Sequence, residues 1–308
     1  MKTRTLYLPL FLSVCCLLTA CTPRYAGQMI LTTIGGNSLS ASRATQLTTE
    51  INQRVERAGY EAVRVERDKT KAAFVVSFEL EGPVSGAEDK LTRMFALPHE
   101  MGLWHTYQMT DPAIQQMWTD MTLPEGLIHR RDVDIVSGFE DVLAFALDTI
   151  DLTLARQTLM ASPLKPANLD LIWSKEVLTP ELGFGLYMIN TEGESQAPIT
   201  EQDIQTAKME LNQMSNQPMI GVELTESAVA RWAEMTELAA EDRRGIAVVI
   251  NGKAQMVPRV MSKITAGRLS ITGNFNEAEA AAMAFQLHLG RLSQPLVAGP
   301  ITIEEIKK

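Results

Sequence analysis

The residue types that could carry chemistry are few in this sequence, and their spacing does not favour catalysis. The four histidines are His99, His105, His129 and His288. His99-Glu100 and His105 have the residue types of a zinc-binding helix. Two ligands on one helical face need a spacing of four, and here it is six. No metal site is expected. The sequence has no Gly-x-Ser-x-Gly elbow, phosphate-cradling glycine loop or dinucleotide fingerprint; Gly35-Gly36 reads as a turn, and Gly267 and Gly273 as strand ends. Acidic residues are scattered along solvated helix faces, and no pair takes a catalytic role from its spacing. The expectation is a chain with no catalytic residue and no cofactor. Methionine is the compositional excess, with 16 in the chain, and Met209, Met214, Met219, Met256 and Met261 gather in the C-terminal half. Flexible thioethers suit a surface that accepts varied apolar partners. Met219 and Met256 are therefore candidate polypeptide contacts, with packing filler as the alternative for any single Met.

The cysteines point elsewhere. Cys15, Cys16 and Cys21 are the only three. Lys2 and Arg4 precede a mostly apolar run from Leu6 to Leu18, and small residues follow, which is the layout of a secretory signal. The run falls short of the roughly 20 apolar residues of a permanent span. Leu18-Thr19-Ala20-Cys21 resembles the lipobox of bacterial lipoprotein signals. That resemblance implies cleavage before Cys21, a diacylglycerol thioether on its sulfur and acylation of the new amine. Stable attachment needs two such chains. Thr22 follows where an inner-membrane retention signal would place Asp, so the periplasmic face of the outer membrane is favoured over the inner membrane. With Cys15 and Cys16 removed and Cys21 lipidated, neither a disulfide nor a free thiol is expected, so a hydrophobic core must hold the fold.

The net charge is −9, and loss of Lys2 and Arg4 makes it more negative by two. An acidic chain argues against nucleic acid as a partner and against electrostatic docking on anionic lipid. No later segment reaches spanning length without charges, so the membrane is met through the lipid.

The pattern from Met29 predicts strand, helix, strand, strand, helix, strand. Leu47, Ile51, Val55 and Ala58 recur at helical spacing over Ala41–Ala58, which Gly59 closes. Ala62–Glu66 and Ala73–Leu80 read as strands around the turn Asp68-Lys69-Thr70-Lys71, Gly86–Phe95 as a helix, and Gly102–Met109 as the closing strand. A long helix is expected from Gly138 to Met160, with Val142, Phe145, Ala146 and Leu152 on one stripe. Ala161–Pro166, with two prolines, is the best domain boundary. Beyond it come a strand at Phe184–Ile189, a helix from Thr200 to about Met214, and a strand at Met219–Leu224. A helix from Ser227 to Ala240 follows, with Val229, Trp232, Met235 and Ala239 inward. Asn251-Gly252 predicts a hairpin. Leu269–Thr272 is a strand, Asn276 with Glu279 a capping box for a helix ending near Gly290, and Leu296–Ile303 a final strand. The fold class is α+β: two ferredoxin-like open-faced sandwiches in split βαβ order, with a helical insertion between them.

Gly221-Val222-Glu223-Leu224-Thr225, Gly245–Gly252, Pro258, Ile264, Gly267, Ile271-Thr272-Gly273-Asn274-Phe275 and Glu277-Ala278 together resemble the first periplasmic domain of SecD, the membrane partner of the bacterial export channel. The spacing holds from about Ile199 to Ile303. Ile51–Gly59 and Val63–Pro83 resemble the base of the same domain. Asn251 stands where the family commonly has Asp, and Arg291 and Ser293 replace Ala and Pro. The resemblance divides the chain into a signal at 1–20, a lipidated tether at 21–28, a SecD-base-like domain with its helical insertion at 29–162, and a SecD-head-like domain at 163–308. SecD continues into membrane helices with a proton-coupled carboxylate, whereas this sequence runs to Lys308 without them. The resemblance therefore implies a lipid-anchored module that binds exported or unfolded polypeptides or Sec translocon components, with no proton-driven motor of its own. An assembly protein docking on one folded envelope partner is the alternative.

Overall fold

The computed structural model describes residues 23–33, 39–68, 73–95, 100–133, 138–147, 151–290, 292–294 and 296–306. The signal, Cys21, the Gly35-Gly36-Asn37 turn, Lys69–Lys71, His99 and Arg291 lie outside them.

The first elements are β1 (Arg24–Thr33), α1 (Ala41–Arg57), β2 (Glu61–Asp68), β3 (Ala73–Glu81) and α2 (Ala87–Phe95). After them come β4 (Met101–Thr106), α3 (Pro112–Asp120), β5 (Leu127–His129), β6 (Val142–Ala146) and α4 (Leu152–Met160). The rest are β7 (Leu169–Thr179), β8 (Gly183–Asn190), β9 (Ile199–Thr200), β10 (Ile204–Leu211), β11 (Pro218–Leu224) and α5 (Glu226–Glu241). The chain ends in β12 (Ile246–Ile250), β13 (Lys253–Met256), β14 (Arg268–Ile271), α6 (Glu277–Leu289) and β15 (Leu296–Glu305). The class is α+β.

The base is an antiparallel sheet in the order β15-β1-β3-β2. Strict alternation in β3 turns Phe74, Val76, Phe78 and Leu80 inward, against Leu47, Ile51 and Val55 of α1 and Leu91 and Met94 of α2. Ser40 caps α1 by accepting from Arg43 N at 3.3 Å. Arg54, 1 % exposed, reaches from α1 to two helix ends, donating to Met94 O at 2.8 Å and to Gly290 O at 2.6 Å. These are the orphan carbonyls that helix C-termini leave. The ferredoxin-like strand order is present, but β15 closes the sheet. The expected closing strand, β4, lies elsewhere, because residues 100–295 are inserted between α2 and its last strand.

The inserted part has two sheets. The larger runs β5-β6-β8-β7-β13-β12-β4-β9, and a further β4–β8 pairing closes five of its strands into a ring. The smaller runs β10-β11-β14 and packs against α5 and α6. Strand β12 serves both. Ile246, Val248 and Ile250 join the core under α5 and α6, while Ala247 and Val249 join the cluster with Val142, Phe145 and Tyr187. A strand buried on both faces reads as a continuous apolar run, and Ile-Ala-Val-Val-Ile is one.

Three expectations are corrected. The helix over Gly138–Met160 is strand β6 followed by the short α4; all five residues of β6 are buried, and periodicity does not separate such a run from a buried helix. The helix over Thr200–Met214 is one 3-10 turn and then β10. Thr200 and Asp203 do form a capping box, but pairing with β11 from Ile204↔Leu224 to Leu211↔Pro218 takes the backbone beyond that turn. The boundary at 162/163 does not separate two sheets, since β4 pairs with β12, β6 with β8, and β1 with β15. The prolines of 163–166 mark only a connection between α4 and β7.

Candidate functional site: the Trp232–Met256 cleft

The C-terminal half carries an apolar cleft of about 260 Å³ whose lining includes Trp232, Val248, Met256, Met261, Ile264 and Leu269. Helix α5 supplies the floor. Its N–H-bearing indole at Trp232 is 5 % exposed, and the Nε1 donor has no hydrogen-bond partner among the described residues. Leaving a buried donor unmet costs about 1–3 kcal/mol, so this group calls for an acceptor. Thr236, one turn on, fixes the wall: its hydroxyl hydrogen-bonds the carbonyls of Trp232 at 2.9 Å and Ala233 at 3.0 Å, and accepts from Ile264 N at 2.9 Å. Lys263 Nζ pairs with Glu237 Oε2 at 2.7 Å, tying the 258–264 loop to α5.

The Asn251-Gly252 hairpin places Met256. Both turn residues have positive φ, 51° and 71°, as a two-residue turn of this kind requires. Met256 Sδ is held by Thr272 N at 3.2 Å. Met261 is 85 % exposed at the mouth. Arg268, Leu269 and Ser270 of β14 also line the cleft. Strand β14 pairs with β11 on one side, and among the described residues it is an outer strand of its sheet. Its free edge therefore adjoins the cleft. At Gly267, φ is +61° and an added Cβ would lie 2.6 Å from Val229 Cγ2, so glycine is needed to bring β14 this close to α5.

Of the two candidate methionines, the structure brings only Met256 to the cleft. Met219 lies on β11 with Gly221 and Glu223, on the face opposite the buried Ile220, Val222 and Leu224. Met214 is 98 % exposed at the β10–β11 turn, and Met209 packs against the core. Trp232 was legible as an inward residue of its helix. Its unmet donor was not, because that depends on what the hairpin and the 258–264 loop fail to offer.

The histidines are dispersed. His105 is buried, with Nδ1 3.0 Å from Glu192 Oε1 and Nε2 2.9 Å from Met235 O. His129 meets the Trp118 ring edge to face at 3.7 Å between centroids, and burial pushes its pKa down to about 4. His288, expected on a helix surface, is half-buried, and burial lowers its pKa. Among the described residues no three His, Cys, Asp or Glu are grouped to hold a metal ion. No described helix is long and apolar enough to cross a membrane.

Residues 188–294 match the family described as SecDF, P1 head subdomain. Over 99 residues the chain is 32% identical to protein translocase subunit SecD of Magnetococcus marinus, covering 32% of this chain and 18% of that protein. Over 98 residues it is 36% identical to the same subunit of Aquifex aeolicus, covering 32% of this chain and 19% of that protein. The shared segment is thus about a fifth of these relatives. A solved structure described as a membrane component SecDF that enhances protein export is similar with a TM-score of 0.48 at 15% identity, over 89% of this chain and 98% of that one. The cleft, its hairpin and the Gly221–Thr225 and Ile271–Phe275 segments all fall inside the matched residues. What these comparisons establish is a likeness confined to residues 188–294, which are similar to the SecDF P1 head subdomain.

Proposed function

We propose that this chain binds exported or unfolded polypeptides, at the Trp232–Met256 cleft, as part of protein export in the cell envelope. The observation that carries the reading is a cleft lined by Trp232, whose buried indole donor is unmet among the described residues, and by β14, an outer strand of its sheet. An extended peptide supplies what each part lacks. Its main chain pairs with β14, an alternate side chain enters between Met256 and Leu269, and a carbonyl accepts from Trp232 Nε1. The relatives named as translocase subunits support export as the setting. Binding of this kind holds or shields a client and uses neither nucleotide nor metal.

The test is binding of a reduced, unfolded envelope protein to the purified chain without residues 1–20 and with Cys21→Ser. A micromolar dissociation constant is expected, roughly −8 kcal/mol. Trp232→Phe keeps the ring and removes the donor, and it should weaken binding about threefold to tenfold. A photoreactive residue at Met256 should capture clients during export, while one at Met219, on the other face, serves as the comparison. If the Met256 probe instead captures one folded envelope protein and no exported chain, the assembly reading replaces this one.

We also propose lipid attachment at Cys21, facing the periplasm from the outer membrane. The Leu18–Cys21 lipobox resemblance and Thr22 support it. Cys21→Ser should abolish incorporation of labelled fatty acid and release the protein from the membrane fraction, or leave an uncleaved precursor. Undiminished label in the variant would refute the assignment.

A further inference from the structure

A second concavity lies away from the cleft, between α2 and α6. It is a groove of about 370 Å³ lined by Lys90, Arg93, Ala278, Ala281, Ala282, Phe285 and Gln286. Four of these fall at i, i+3, i+4 and i+7 on α6. Such a stripe is normally buried, yet Ala278, Ala281 and Ala282 are exposed and Phe285 is half-exposed. Alanines here let another backbone approach closely. The wall from α2 is cationic, and both charged lining residues are bases. Lys90 Nζ donates to Ala58 O at 2.7 Å and sits over the Tyr60 and Phe285 rings at 5.2 and 5.7 Å. Partial burial lowers its pKa, yet the side chain stays open to solvent, where a carboxylate can reach it.

Gln286 gives an independent sign of a missing partner. It is 9 % exposed, its Nε2 donates to Arg93 O, and its Oε1 has no partner among the described residues. The amide orientation is fixed, because the flipped form would set two oxygens against each other. An acceptor is therefore left unmet on a residue that lines the groove.

We propose that this groove docks an amphipathic helix of a partner protein, with acidic residues flanking its apolar stripe. The helix meets Ala278, Ala281, Ala282 and Phe285 with its own i, i+3, i+4, i+7 face, and its carboxylates meet Lys90 and Arg93. A side-chain hydroxyl or amide donor on that helix meets Gln286 Oε1. A second copy of this chain would bring the same two cations against Lys90 and Arg93, which disfavours self-association here. An anionic lipid would satisfy the cations but offers no helical stripe to match the exposed alanines at i, i+3 and i+4. The groove spans the base helix α2 and the head helix α6, so its occupant grips both parts. This inference does not depend on the Trp232 cleft.

The test uses the full chain without residues 1–20, carrying Cys21→Ser, and three probes read by fluorescence anisotropy or co-sedimentation. One is a designed helix with a leucine stripe and Glu flanks, one the same helix with Lys flanks, and one phosphatidylglycerol vesicles. The Glu-flanked helix should bind at least tenfold more tightly than the Lys-flanked one, and added salt should narrow the gap. Ala281→Asp should lower its affinity tenfold or more, and Arg93→Glu should narrow or reverse the preference, with thermal midpoints confirming that both variants fold. Trp232→Phe should leave this binding unchanged. The proposal is overturned if the two helices bind alike, if neither binds below about 1 mM (roughly −4 kcal/mol), or if vesicles alone bind. Loss of binding in Trp232→Phe would also overturn it, by placing the helix in the other cleft.

Discussion

Ending the chain at Gln294 should unfold the base while the head keeps its structure. Strand β15 is the last described strand, yet it pairs with β1, the first, from Tyr25↔Glu305 to Thr33↔Leu296. Its removal exposes the edge of β1 and strips Leu296, Ala298, Ile301 and Ile303 from the core that α1 and α2 cover. A fully buried aliphatic side chain contributes about 1.5–3 kcal/mol. The loss of several partly buried ones plus a strand of main-chain bonds is comparable with the roughly 5–15 kcal/mol that stabilises a whole domain. The head core under α5 and α6 draws on no residue of β15. Hydrogen exchange is the direct measurement. Amides of β1 to β3 should lose protection in the truncated chain, and those of β11 and α5 should retain it. Unchanged protection in β3 would show that β15 is not part of the base sheet. By the same topology, a fragment beginning near Asn168 should not fold as a unit. It lacks β4, which pairs with β12, β8 and β9, and it carries β15 without β1.

Where local signals decide the structure, sequence reading located the elements. The capping box Asn276–Glu279 is present in α6, with Glu279 N donating to Asn276 Oδ1 at 2.9 Å and Asn276 N to Glu279 Oε2 at 3.1 Å. The Asn251-Gly252 hairpin and the amphipathic α1 were legible for the same reason, since each depends on residues within about one turn of one another. The misreadings all involve partners outside the misread segment, from the neighbouring strand across a turn to a strand at the other end of the chain. Thr200 and Asp203 signal a helix start truthfully, but Ile204–Leu211 becomes a strand because β11 lies beside it. Val142–Ala146 gives no period to read, since both its faces are buried. The role of β15 was the least legible, because nothing near Leu296 indicates a partner some 270 residues earlier. In the site, Met256 was nominated from composition and sits in the cleft. Met219 was nominated on the same grounds and faces away, because composition carries no information about which side of a strand a residue occupies.

Replacing Asp141 by Asn should stabilise the chain at neutral pH and change the shape of its pH profile. Asp141 is 5 % exposed, its Oδ1 has no partner among the described residues, and Thr106 hydrogen-bonds its carboxyl. Gly245 is what admits the carboxylate, for an added Cβ would lie 2.5 Å from Asp141 Oδ2. Burial pushes the Asp141 pKa from 3.8 up to about 6, despite the opposing pull of Arg259. The folded chain thus holds this proton more tightly than the unfolded one. Stability from Asp141 is present below about pH 4 and is lost as pH rises through 6. Two pKa units correspond to about 3 kcal/mol, which bounds the penalty at neutral pH. His129 acts in the opposite sense over nearly the same window. Its pKa falls from 6.5 to about 4 through burial, so the unfolded chain binds that proton more tightly and stability rises as pH climbs from 4 to 6.5. In the native chain the Asp141 slope opposes that of His129 and offsets most of it. Asp141→Asn removes the opposing slope and leaves those of His129 and His288, whose pKa burial also lowers, so denaturant midpoints measured between pH 4 and 8 should climb steeply through pH 6 and exceed the native values above it. The gain at pH 7.5 should be about 1–3 kcal/mol, the lower part of that range allowing for an imperfect fit of the amide. Parallel profiles for the two proteins would show that the Asp141 carboxyl is not held protonated by burial.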